Sequence, residues 1–140
     1  MNSKLLCPKC GVEIDEHEAG RCLDAWIHGF VMGKPVYTQD ELAERNERGC
    51  GFIIVTMVGG KIVSYDDALM PRYSTDIAPA WKVMERTSKI TGATVRLRIH
   101  PSGFYCVQTI RLVGKWLCCE TMPLASCRTA IKAVSNATNS

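Results

Sequence analysis

Two cysteines two residues apart, in the string CPKCG at Cys7 to Gly11, are the first residues here with the means to do chemistry. As thiolates they can hold one edge of a tetrahedral site, and a structural zinc ion takes four ligands. His17 and Cys22 follow and give the set C-x2-C-x6-H-x4-C, a looser spacing than common knuckles. Cys50 is the alternative donor. The competing explanation is an N-terminal extension with spare thiols. The expected cofactor is therefore structural zinc on Cys7, Cys10, His17 and Cys22, with no catalytic cofactor.

The second constellation is cationic and aromatic. Residues 1–70 carry a net charge of −4 and residues 71–140 a net charge of +7. In the basic half Arg96 and Arg98 share one face of an alternating stretch, and Arg111 can join them from the next strand. Arg21 and Arg128 fall in the first turns of two expected helices. A phosphate there gains from backbone amides and guanidinium together. Tyr73, Phe104, Tyr105 and Trp116 offer rings on which a base can stack. Taken singly, each is more simply a solvated arginine or a core aromatic. As a group they favour a phosphate-bearing ligand. Ser74, Thr75 and Asp76 stand at the head of an expected helix, where the polar groups that do not serve as its one N-cap are left for a ligand.

Catalysis has less behind it. His17, His28 and His100 stand in unrelated contexts, and no nucleophile motif accompanies them. Asp76, Glu85 and Glu120 form no paired-carboxylate signature, and no glycine-rich phosphate loop is present. The chain reads as a non-enzyme.

The totals are those of one soluble domain: 140 residues, 46% hydrophobic and 22% charged. No apolar run approaches the roughly 18 residues of a membrane span. The start MNSKLLCPKC lacks a secretory apolar region, so a cytoplasmic location is expected. In that compartment the eight cysteines should be reduced, serving as metal ligands or core thiols before disulfides. Cys106, Cys118 and Cys127, in apolar-periodic surroundings, read as core thiols.

The elements that must position these residues follow from periodicity. Leu23, Ile27 and Phe30/Val31 predict a first helix that Gly33 can close. Thr38 and Glu41 offer a capping box for a polar helix ending at Gly49. FIIVTMV and KIVSY around Gly59-Gly60 predict a β-hairpin. Pro79 must lie in the first turn of the next helix, which places its cap at Thr75 or Asp76 and its core face on Ile77, Trp81 and Met84. ATVRLRIH, FYCVQTIRLV and WLCCE predict a three-stranded meander with turns at PSG and at Gly114. A last helix starts at Thr121, buries Leu124, Cys127, Ile131 and Val134, and leaves the polar segment SNATNS to fray. The order indicates an α+β fold: one layered domain with an antiparallel sheet, hairpin plus meander, packed by three to four helices.

Three windows, AGRCLDAWIHGFVMG, YSTDIAPAWKVMER and ETMPLASCRTAI, resemble the phage ABA-sandwich domain family. The resemblance spans residues 19–135, with a Cys-containing extension at 1–18 and a tail at 136–140. Members of that family look similar to the Thoeris anti-defence protein 1 group, oligomeric non-catalytic sponges. The resemblance thus implies sequestration of cyclic ADP-ribose isomers, or of cyclic oligonucleotides, in an infected bacterial cell. It also implies a homo-oligomer, with no membrane or DNA partner. Arg21, Arg128 and the Tyr73–Asp76 turn lie inside the resembling windows. Arg98, Phe104 and Tyr105 rest on the strand reading. The alternatives are a zinc-knuckle module binding nucleic acid or protein, and a structural phage protein whose arginines serve an oligomer interface.

Overall fold

Leu23, Ile27 and Val31 recur at helical spacing and VRLRI alternates at period two, and each becomes the element its period requires. The structure, a computed structural model, describes residues 5–8, 10–34, 36–38, 52–58, 61–66, 71–110 and 113–138. In chain order the elements are α1 (Arg21–Phe30), β1 (Val36–Thr38), β2 (Phe52–Val58), β3 (Lys61–Asp66) and α2 (Ile77–Thr91). They continue with β4 (Val95–Ile99), β5 (Tyr105–Thr109), β6 (Val113–Cys119) and α3 (Met122–Thr138). The fold is α+β, with two antiparallel sheets ordered β1-β2-β3 and β4-β5-β6. The expected hairpin is β2–β3, and β1 adds a third strand, pairing Tyr37 with Ile53. Three residues are too few for alternation to announce a strand. The polar helix expected after Thr38 lies outside the described residues, as do Arg111 and Cys50.

In the second sheet Arg98 stands opposite Cys106, and Cys106 stands opposite Cys118. That register corrects one expectation. Cys106 and Cys118 are joined in a disulfide rather than packed as free thiols, because the strand pairing brings their Cα atoms to 4.0 Å. Sequence without register cannot show this. Cys127 is the free, fully buried thiol expected, donating to the Tyr73 carbonyl oxygen at 3.3 Å. Gly114 also moves: it lies within β6, next to Val113, which pairs with Thr109.

Helix α3 is the centre of the molecule. One side packs Cys127, Ala130, Ile131 and Val134 with Leu23 and Ile27 of α1 and its C-cap residue Val31, and with Val83 and Ile14. The other side packs Met122 and Ala125 with Val107 and Cys119 of the sheet and with Ala80 and Met84 of α2. Each fully buried Leu or Ile contributes about 1.5–3 kcal/mol. Thr121 caps α3, its Oγ1 accepting from the Leu124 amide at 3.3 Å. The helix continues to Thr138 with Ser135 buried, so the polar segment expected to fray is largely helical.

The core face of α2 is corrected at two of its three expected residues, Met84 being buried as expected. Asp76 is the N-cap residue and Pro79 sits in the first turn, but Ile77 is 67% and Trp81 51% exposed. The buried stripe is Ala80, Val83, Met84 and Thr87. Small residues at Ala80 and Thr87 let α2 approach α3 closely, and this rotates the larger Ile77 and Trp81 outward. Among the described residues no helix is long and apolar enough to cross a membrane.

Candidate metal centre

The chain before α1 folds back on itself to build the site. The Cys7 amide donates to the Val12 carbonyl at 2.9 Å, and the Ile14 amide donates to the Leu5 carbonyl at 2.9 Å. Gly11 closes the tight turn between them with φ 74°, a backbone region that a side chain disfavours. A second turn, closed by the Glu16 amide on the Glu13 carbonyl, swings His17 back towards the cysteines. Cys22 arrives from the first turn of α1.

These segments bring Cys7, Cys10, His17 and Cys22 together, their ligand atoms all within 4.8 Å of one another. Cys7 Sγ lies 3.6 Å from Cys22 Sγ, and Cys10 Sγ lies 3.3 Å from His17 Nε2. A tetrahedron with metal–sulfur bonds of about 2.3 Å has edges of roughly 3.8 Å, so these separations suit one ion. The cluster is close enough to bind a metal ion. Cys7 and His17 are buried, Cys22 partly so, and Cys10 is exposed.

The histidine is oriented for this role. Its Nδ1 bonds the Glu18 carbonyl at 2.8 Å, which fixes the proton on that nitrogen and leaves the Nε2 lone pair facing Cys10. Arg128 of α3 grips the His17 carbonyl through Nε at 3.2 Å and Nη2 at 2.7 Å, and its Nη1 reaches Cys119 Sγ at 3.5 Å. One turn on, Lys132 pairs with Asp15. The Trp26 ring covers the His17 ring at a centroid distance of 6.0 Å.

The thiols carry an electrostatic conflict. The Val12 backbone hydrogen bond holds the Cys10 thiol below its ordinary range. Burial, followed by the neighbouring Cys7 and Cys10, pushes Cys22 up to about 12. Three thiolates this close repel one another, and a bound dication removes that repulsion.

The residues assigned to a phosphate-bearing ligand divide into two sets. Arg21 Nη1 donates to Asp24 Oδ2 at 3.1 Å and to the Pro71 carbonyl at 3.4 Å. Ser74 is fully buried. Its amide donates to Asp24 Oδ1 at 2.8 Å, its Oγ lies 2.7 Å from the same oxygen, and it accepts from the Gly20 amide at 2.8 Å. Tyr73 is buried with its hydroxyl 2.7 Å from His28 Nδ1. Burial, then Asp24, raises Tyr73 to about 12, and burial, then Lys34, lowers His28 to about 4. The tyrosine therefore keeps its proton, the imidazole is neutral, and the two share one buried hydrogen bond. Arg21, Tyr73, Ser74 and Arg128 hold the fold together.

Thr75 and Asp76 are exposed at the head of α2. Phe104 is exposed beside the β4–β5 turn, and Tyr105 is half-buried in β5. Arg98 lies over the Trp116 ring, 4.5 Å from its centroid. The sequence reading missed Asp24 and His28 as the partners of the Tyr73–Ser74 turn. Their signal was available: both fall on or beside the apolar face of α1, where an ionisable side chain needs a buried partner.

Comparisons with family models, with curated proteins and with solved structures return no match to this chain.

Proposed function

We propose that this chain is a non-catalytic binding protein stapled by a structural zinc ion. The observation that carries the metal assignment is the closed Cys3His set, in which all four donors come from protein and His17 is pre-oriented by the Glu18 carbonyl. A thiolate-rich tetrahedral set selects zinc over the hard cations, and four protein ligands leave no open position for chemistry. Metal analysis of the purified protein tests it. Full-length protein should carry an equivalent of zinc that the Cys7→Ser/Cys10→Ser variant lacks, and equal zinc in both would reject the site.

For the ligand we propose a cyclic nucleotide that is sequestered without being cleaved, as the resemblance implies. Two features support this reading. The three resembling windows meet in space: Asp24 of the first holds Ser74 of the second, and Cys127 of the third bonds the Tyr73 carbonyl. Arg96 and Arg98 remain exposed on one sheet face, with Trp116 beneath Arg98. This moves the expected contact surface from the α2 turn to the strands. His28 is buried on Tyr73, His17 belongs to the metal cluster, and His100 closes an exposed turn with Ser102, which fits a protein without turnover.

Incubation with a cyclic ADP-ribose isomer, followed by heat denaturation, separates the outcomes. Retention followed by release of intact ligand supports sequestration. Altered ligand indicates an enzyme, and ligand left free before heating removes both readings.

A further inference from the structure

β4 is an edge strand, and its exposure differs from that of its neighbour. β5 is half-buried or buried throughout, whereas every residue of β4 after Val95 is exposed. Among the described residues β4 pairs only with β5, so its outer row of amides and carbonyls is open. Beside it, on the helix-packed face of the sheet, runs a groove of about 330 Å³ lined by Trp81, Met84, Glu85 and Ser88 of α2 and by Val95 and Leu97 of β4. Its one carboxylate lies on the apolar side, away from the arginine row, and favours apolar rather than acidic residues there. Ile77 and Ile99 continue the apolar surface beyond it. The opposite face of the same strand carries Arg96 and Arg98. One strand edge therefore presents an apolar row on one side and a cationic row on the other.

We infer that this edge takes an extended protein segment in which acidic and apolar residues alternate. A strand added antiparallel to β4 places every second side chain over Leu97, Ile99 and Trp81, and the residues between them opposite Arg96 and Arg98. Opposite charges across a strand pair stabilise it and like charges destabilise it. A second copy of this chain is the poorer occupant. Pairing β4 with its own twofold mate sets arginine against arginine in every register that keeps the apolar rows together. The inference goes beyond the nucleotide proposed above. The two ligands share Arg98 and so exclude one another, yet either can fail alone.

The test uses full-length, zinc-loaded protein and short blocked peptides in which valine alternates with glutamate or with lysine, followed by Trp81 fluorescence and calorimetry. The glutamate peptide should bind at least about tenfold more tightly than the lysine peptide. N-methylation of the amides along one edge of the glutamate peptide should abolish binding, and methylation along the other edge should not. The Arg96→Glu/Arg98→Glu variant, checked for unchanged helical signal, should invert the preference. No binding, equal binding of both peptides, or indifference to methylation on either edge would overturn the inference. So would concentration-dependent dimerisation that buries Trp81 in the absence of peptide.

Discussion

The arm that precedes α1 buries Cys7, Ile14 and His17, whereas α3 alone buries eleven residues, from Met122 to Ser135. The arm therefore has almost no core of its own. It is held by Ile14 inserted into the body's core, by hydrogen bonds at two turns, by Arg128 and Lys132 reaching out from α3, and by four ligand atoms converging on one point. The helical body is held by apolar burial around α3 and by internal polar locks, His28 on Tyr73 and Asp24 taking two contacts from Ser74 and one from Arg21. Within a single small chain, the zinc proposed above would let coordination substitute for a core where the sequence is too short and polar to build one.

Removing the metal should separate the two regions most sharply. Structural zinc contributes an apparent 10–16 kcal/mol in small zinc-dependent peptides. A chelator, or the Cys7→Ser/Cys10→Ser change, should strip residues 5–17 of hydrogen-exchange protection while the body keeps its cooperative unfolding transition. Loss of the body's transition as well would erase the distinction. Asp24→Ala attacks the other region. It leaves the Ser74 amide and hydroxyl without their buried acceptor and should cost about 3 kcal/mol in denaturant unfolding, with zinc content unchanged.

Acid should weaken the body next. His28 is held at about 4 against 6.5 for a free imidazole, so between those values the unfolded chain binds a proton that the folded chain refuses. Stability should therefore fall as pH drops through that window, by at most about 1.4 kcal/mol per pH unit. Measured on metal-free protein, the slope belongs to the body alone, and His28→Gln should flatten it. The smallest effect is reserved for Ile77→Ser. At an exposed position it should change stability by no more than about 0.5 kcal/mol, and a larger loss would return Ile77 to the core.

That last substitution marks where sequence reasoning reached its limit. Periodicity located α2, and Pro79 fixed its start, but two stripes competed for the core. The stripe with the larger side chains lost, because Ala80 and Thr87 permit the closer helix contact. Which stripe wins depends on the partner helix, and a local pattern does not contain it. The clustering of Cys7, Cys10, His17 and Cys22 was legible for the opposite reason. Their four positions span only residues 7 to 22, so residue type and spacing carried most of the geometry. The Cys106–Cys118 bond and the enclosure of Tyr73 and Ser74 depend on strand register and on contacts some 50 residues apart in sequence, beyond what spacing encodes.

Arg128 has a consequence for the order in which the molecule is made. Its grip on the His17 carbonyl spans 111 positions, so the arm cannot dock until the last helix has been synthesised and packed. Its metal ligands are complete once Cys22 is available, more than a hundred residues earlier. If zinc fills the site as proposed, the arm can take up its ion before it has anywhere to dock, and its thiols are then shielded from oxidation while the rest of the chain follows. Zinc would then act twice on one timeline, first as a guardian of reactive sulfur and later as the fastener of a finished fold.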